Sequence, residues 1–228
     1  MNLVSIVENS ILRADNYLSK MPLDFPSGLS EESFSGIKGR ALINNICGND
    51  GIRYLEVGSY AGSTLCSALI GNSIDATACD IWGEFMGEPR GSYIKGLFNN
   101  RLEKYRGNNR VKVIESSIYS DDTIKNIGKG WNFYFYDADH TTESTEKGII
   151  AVDSCMSDEF ILMVDDYGMI TTMQGVNNAL SKLNYEILFS RKLGNLPVYD
   201  WYTYEGQAVV PDNDWWCNYF IAVLRKSK

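Results

Sequence analysis

The run RYLEVGSYAGST, residues 53–64, joins five strand-forming residues to two glycines, Gly58 and Gly62, and then to a helix-like segment. Gly58 allows a turn with positive φ, and Gly62 lets the following helix approach a ligand with no Cβ in the way. Free N–H groups at that helix start favour an electron-rich partner. A tight strand–helix connection accounts for the same two glycines, so they do not choose a function by themselves.

Working outward, short apolar runs alternate with longer helical segments. ATACDIW follows the first helix, then a helical IKGLFNNRLEKYR, then VKVIESS and WNFYFYDAD. A helical TESTEKGIIAVDSC, EFILMVDDYG, VNNALSKL, YEILFS and NYFIAVLR complete the chain. That alternation predicts an α/β fold with a mostly parallel, seven-stranded sheet and helices on both faces. The strands are nearly continuous apolar runs, as strands covered on both faces should be. Residues 1–45 read as an N-terminal helical extension covering one edge of the sheet, and 46–228 as the main domain. The extension is interrupted by Pro22 and Pro26, with a new helix start at Ser30 to Glu32.

Composition narrows the function. A chain of 228 residues with 44% hydrophobic and 22% charged residues can bury a sizeable core. A net charge of −8 disfavours a nucleic-acid coat or a membrane-surface binder. No apolar run approaches the roughly 20 residues that cross a bilayer. Glu8, Arg13 and Asp15 interrupt the apolar start, which excludes a signal peptide. The five cysteines (Cys47, Cys66, Cys79, Cys155 and Cys217) are scattered and odd in number, so they read as buried thiols of a cytoplasmic protein. With one histidine, His140, any mechanism needing two is excluded.

Asp80 ends the second strand, at the distance from Gly62 where a carboxylate can accept both hydroxyls of a ribose. The glycine spacing lacks the tight cluster that holds a pyrophosphate, and it suits a nucleoside without phosphate. Trp82 reads equally as a purine platform or as a core aromatic. YLEVGSYAGSTLCSAL followed by ACDIW resembles motif I and the following acid of class I S-adenosylmethionine-dependent methyltransferases. The resemblance implies a Rossmann-like class I methyltransferase fold and S-adenosylmethionine contacts at Glu56, Gly58, Gly62, Ser63 and Asp80. It also puts Ser59, Ile81, Trp82 and Asp137 beside the cofactor. Ser116 or Ser117 falls where the family places an adenine contact, although a helix N-cap fits those serines as well.

Two acidic clusters follow the fourth and fifth strands: Asp137, Asp139 and His140, then Asp165 and Asp166. Carboxyl ends of neighbouring parallel strands share one edge, so these carboxylates should converge and need protons or a cation to offset their repulsion. Oxygen ligands suit a hard ion such as Mg²⁺. Separate helix caps are the plainer account of each aspartate taken singly. FYFYDADHTTEST with FILMVDDYG is similar to the DGDxYEST…DDY pattern of macrocin-type sugar O-methyltransferases and to the wider DGDH group. That similarity implies Mg²⁺ at Asp137, Asp165 and Asp166, with Asp139 accepting the hydroxyl proton. This chain departs from the pattern by one extra residue before EST and by His140, which makes His140 a second candidate base. As plainer alternatives, His140 caps a helix or packs. The resemblance spans roughly residues 35–185.

Methyl transfer from a sulfonium to oxygen needs positioning and a lowered hydroxyl pKa, which a cation and a nearby base supply. The expectation is therefore metal-assisted O-methylation of a small-molecule, sugar or glycoside hydroxyl, with a homo-oligomer as a compatible assembly. The rivals are a non-catalytic cofactor-binding or assembly protein, a nucleotide-dependent oxidoreductase and a metal-independent methyltransferase. Tyr- and Trp-rich residues Val198 to Trp216 read as a lid over the acceptor or as a covered hairpin. Gln174-Gly175-Val176 reads as a helix start, and Lys38 and Arg40 as contacts to the acceptor or cofactor or, more simply, as solvated surface charges.

Overall fold

Side chains along β1 (Arg53–Val57) alternate between two apolar layers, Tyr54 facing one and Leu55 and Val57 the other. The computed structural model describes residues 1–22, 33–83, 90–198 and 214–227. Two helices, α1 (Leu3–Asp15) and α2 (Ile37–Cys47), precede β1, and α3 (Ser63–Leu69) follows it. Then come β2 (Asp75–Asp80), α4 (Gly91–Tyr105), β3 (Arg110–Glu115), α5 (Asp121–Ile127), β4 (Trp131–Tyr136) and α6 (Thr142–Ala151). The chain closes with β5 (Met156–Val164), α7 (Ile170–Lys182), β6 (Tyr185–Leu193) and β7 (Tyr219–Lys226).

The seven strands lie in the order β3-β2-β1-β4-β5-β7-β6. β1 to β5 run parallel, and β7 pairs antiparallel with both β5 and β6. The order reverses direction between β1 and β4, and the carboxyl ends there form the crevice in which open α/β sheets bind ligands. The expected α/β architecture is what the chain adopts.

One layer packs α1, α2, α3 and Phe98 of α4 against Tyr54, Phe133, Phe135, Ile161, Met163, Tyr219 and Ile221. The opposite layer packs Ile127, Ile149 and Val176 against Leu55, Tyr134, Leu162, Val164 and Phe220. Helix α1 lies on a face of the sheet rather than at an edge, because Leu3, Val7, Ile11 and Ala14 form one buried stripe. Edge strands β3 and β6 are largely exposed, so covering on both faces holds for the inner strands only. All five cysteines are buried and free. Among the described residues no helix is long and apolar enough to cross a membrane. The helix start expected at Ser30 to Glu32, Pro26 and most of the Tyr/Trp-rich stretch lie outside the described residues.

Candidate active site

The turn after β1 is locked by backbone packing. Gly58 has φ +87°, its N–H donates to the Cys79 carbonyl, and an added Cβ would meet the Asp137 carbonyl oxygen at 1.8 Å. Any other residue here would push β4 away from β1. Gly62, at φ +79°, begins α3, and a Cβ on it would meet the Phe98 ring at 2.9 Å. The room that Gly62 leaves is thus taken by an aromatic side chain, not kept open for a ligand.

The turn and the second strand meet at Asp80. Its Oδ2 accepts the Tyr60 N–H at 2.8 Å and its Oδ1 accepts the Trp82 N–H at 2.7 Å. Burial pushes the carboxyl up, while the backbone N–H groups of Trp82, Tyr60, Ile81 and Ser59 hold it down in part. Next to it Ile81 is 62% exposed, an apolar surface at the crevice. Trp82 turns inward: its indole donates to the Tyr60 carbonyl and packs on Phe98 with 4.8 Å between ring centroids. Of the two readings open for Trp82, its placement is that of a core aromatic.

At the ends of β4 and β5, ligating atoms of Asp137, His140 and Asp166 lie within 4.8 Å of one another. His140 Nε2 is 2.9 Å from Asp166 Oδ2 and 3.9 Å from Asp137 Oδ1, yet the ring nitrogen is aligned with neither as a hydrogen bond. Burial lowers the imidazole's proton affinity, but the Asp166 and Asp137 carboxylates outweigh it and hold His140 protonated well above its usual value. Burial, with Asp166 adding to it, raises the Asp137 carboxyl to about 6 against the opposing pull of His140. Asp165 stands outside the three-residue group. It is 2% exposed, its Oδ1 accepts the Asp166 N–H at 2.7 Å, and its Oδ2 has no partner among the described residues. Asp166 sits in the left-handed region at φ +51°, a conformation that aspartate tolerates and that often marks a functional position.

No protein-family model and no curated protein matches the chain. Solved structures do. The O-methyltransferase from Bacillus cereus in complex with SAH matches with a TM-score of 0.57 and 12% identity, covering 99% of this chain and 100% of that one. A ribosomal protein L11 methylase from Lactobacillus delbrueckii subsp. bulgaricus matches at TM-score 0.52 and 12% identity over 83% of this chain and 78% of its own. TrmN from Thermus thermophilus matches at 0.53 and 10% identity over 84% of this chain, which spans 48% of TrmN's length. The fold is the Rossmann-like methyltransferase fold.

Within this methyltransferase fold, several residues expected at the site hold structural posts. Asp139 accepts the Ser144 hydroxyl at 2.7 Å and the Thr141 N–H at 3.2 Å, fastening the start of α6. Ser116 accepts the Thr123 hydroxyl at 2.8 Å, and the Ser117 hydroxyl accepts the Tyr119 N–H at 3.3 Å in a local turn. Ser63 donates to the Ser33 carbonyl at 3.0 Å and so ties the segment before α2 to α3. Gln174 and Gly175 lie inside α7, not at its start.

Lys38 and Arg40 correct the surface-charge reading. Arg40 is 1% exposed, and burial lowers its guanidinium to about 10. Lys38 pairs with Asp214 at 3.0 Å and lies over the Tyr17 ring. Both belong to α2, whose Arg40, Asn44 and Asn45 are buried by its neighbours while Lys38 stays half-buried in its ion pair.

Glu56, wholly buried, receives the Tyr54 hydroxyl at 2.6 Å on Oε2, while Oε1 and the buried Ser59 hydroxyl lack hydrogen bonds of standard geometry. Burial raises its carboxyl to about 7, although the Tyr54, Ser59 and Thr64 hydroxyls oppose the rise. Between the ordinary value of 4.5 and about 7, the folded chain keeps a proton that the unfolded chain releases. Stability should therefore fall as pH rises through that window, by roughly 3 kcal/mol from this one group. Denaturant unfolding of Glu56→Gln between pH 5 and 8 should show a flatter decline than the unchanged protein. Parallel curves would remove the assignment.

Proposed function

We propose that this protein is an S-adenosylmethionine-dependent methyltransferase acting on a hydroxyl of a small molecule, a sugar or glycoside in particular, with help from a divalent cation. The observation that carries the reading is Asp80 held against the glycine turn by the 2.8 Å contact with Tyr60 N–H, beside the exposed Ile81. A carboxylate with spare lone pairs fits ribose hydroxyls, and Ile81 offers apolar surface to an adenine. Glu56 Oε1 and Ser59 Oγ, which lack hydrogen bonds of standard geometry, are acceptors beneath the same turn and fit a donor such as an amino group.

The residues also fit a cation. Asp137 and Asp166 present carboxylate oxygens within 4.8 Å of each other, with the His140 ring beside them. When bound, a divalent ion would neutralise these carboxylates and polarise an acceptor hydroxyl. His140 Nε2 is then the group that accepts the hydroxyl proton, because Asp139 is engaged on α6. The carboxylates that keep the imidazole protonated are those a cation would offset, so filling the site frees Nε2.

Asp80→Ala should weaken S-adenosylhomocysteine binding by roughly 1–3 kcal/mol, the loss typical of hydrogen bonds to a charged group. Calorimetry on a variant that melts like the unchanged protein measures it. Equal affinities would sink the ribose assignment and the cofactor reading that depends on it.

A further inference from the structure

Tyr219, the first residue of β7, is fully buried, and its ring occupies space that α2 leaves open. A Cβ on Gly39 would lie 2.5 Å from the Tyr219 hydroxyl and from its Cζ. Glycine inside a helix costs about 0.5–1 kcal/mol relative to alanine, so α2 is built around this phenol. The ring rests near Phe135 and Trp215, at centroid distances of 6.4 and 6.3 Å. These contacts account for the ring and leave the hydroxyl unexplained. Tyr219 Oη is buried without a hydrogen bond of standard geometry among the described residues; the Gly36 N–H approaches it as a donor, which leaves the hydroxyl's own proton without an acceptor. A buried orphan of this kind calls for a physical reason.

Sheet register supplies one. Val164 of β5 stands opposite Phe220 of β7, and both face the layer of α5, α6 and α7. Continued one step past its last pair, this antiparallel register would set Asp165 opposite Tyr219, whose ring lies in the other layer. Asp165 is itself buried, with Oδ1 held by the Asp166 N–H and Oδ2 unpartnered. Two orphaned polar atoms, one an acceptor and the other a hydroxyl, thus lie at the adjoining ends of β5 and β7. Burial, followed by the charges of Asp165, Asp137 and Asp166, keeps the phenol protonated and so able to donate.

We propose that Tyr219 is a positioning residue for the cation site: its hydroxyl donates toward Asp165 Oδ2, directly or through one water, and fixes that carboxylate behind Asp137, His140 and Asp166. Held between a backbone N–H and a phenol, Asp165 keeps one orientation behind the side chains that would hold the cation. The inference rests on the cation reading above and adds a residue that neither glycine turn nor aspartate motif contains.

The test uses Tyr219→Phe in the full chain, which keeps the ring and removes one oxygen. Mn²⁺ affinity, followed by its electron paramagnetic resonance signal, should fall about 10- to 100-fold, as when the partner behind a metal ligand is lost. S-adenosylhomocysteine affinity should stay unchanged. Asp165→Ala should reproduce the loss, and its double variant with Tyr219→Phe should lose no more than either single one. Should Tyr219→Phe fail to fold, Asp165→Asn with Asp165→Ala carries the same comparison: asparagine, which can still meet the phenol, should bind Mn²⁺ better than alanine. Equal Mn²⁺ binding by the unchanged protein and the variants overturns the role of Tyr219 and leaves the cation site standing. A parallel fall in S-adenosylhomocysteine affinity also overturns it, since the hydroxyl would then serve the fold as a whole. If the unchanged protein binds S-adenosylhomocysteine but no Mn²⁺, the cation reading falls and this inference with it, while the cofactor reading survives.

Discussion

Replacing His140 with asparagine is expected to lower kcat by about 10²- to 10⁴-fold, the range seen when a positioned general base is lost, with S-adenosylhomocysteine affinity unchanged. Two neighbouring residues compete for the role, and their surroundings separate them. Asp139 has both carboxylate oxygens on Thr141 and Ser144 at the start of α6. His140 Nε2 lies enclosed between Asp166 and Asp137 with no aligned hydrogen bond. Asp139→Asn should therefore change kcat only a few-fold while costing about 1 kcal/mol of stability, as lost helix-start contacts do. The pH profile adds a second readout. A base must be unprotonated, and Asp166 and Asp137 hold His140 protonated above its usual range. Turnover should rise with pH on the limb set by His140, and saturating Mg²⁺ should move that limb to lower pH. A large loss in Asp139→Asn with an active His140→Asn would reverse the assignment.

What was legible in the sequence was local chemistry. A strand, a glycine turn and an acid one strand later are set by spacing, and the structure puts Tyr60 of that turn on Asp80. The two acidic clusters were legible for the same reason, since parallel strands bring their carboxyl ends to one edge. Which member of a cluster does what was not legible, because it depends on side-chain partners. Asp137 and Asp139 are two residues apart in one motif, yet one faces His140 and the other fastens α6. Trp82 looked equally like a purine platform and a core residue until Phe98, far along the chain, settled its place. Arg40 carried no sign of burial, because a lone arginine in IKGRALINNIC reads as a solvated tip when the helices around it are unknown. Helix α5 is seven residues long, too short for an apolar period, and the Ser120-Asp121-Asp122 start was its only local signal. Tyr219 had no signal at all. Only the antiparallel pairing of β7 with β5, which no local pattern reveals, brings it to the end of β5 that leads into Asp165.

Asp166→Asn should cut divalent-ion affinity roughly 100-fold or more, beyond the loss typical of partners behind a metal ligand, and should do so without disturbing the backbone. Asparagine is at ease at the left-handed φ of +51° found here, so the loss reports charge rather than strain. Because His140 is the single histidine of the chain, its Cε1 proton gives one imidazole resonance by NMR, and the site can be followed without turnover. In the ion-free protein that resonance should titrate well above the ordinary value, since the carboxylates of Asp166 and Asp137 outweigh burial. This pairing stabilises the fold fully below about pH 6.5, the unfolded histidine value, and the contribution is lost as pH climbs through the higher folded value. Asp166→Asn should bring the titration down, and Mg²⁺ added to the unchanged protein should do the same, because cancelling the carboxylate field has one effect on the imidazole however it is done. Mg²⁺ added to Asp166→Asn should then move the resonance little. If Mg²⁺ leaves the imidazole of the unchanged protein where it was, no cation sits among these three side chains, and the ion pair between His140 and Asp166 is all that their meeting achieves.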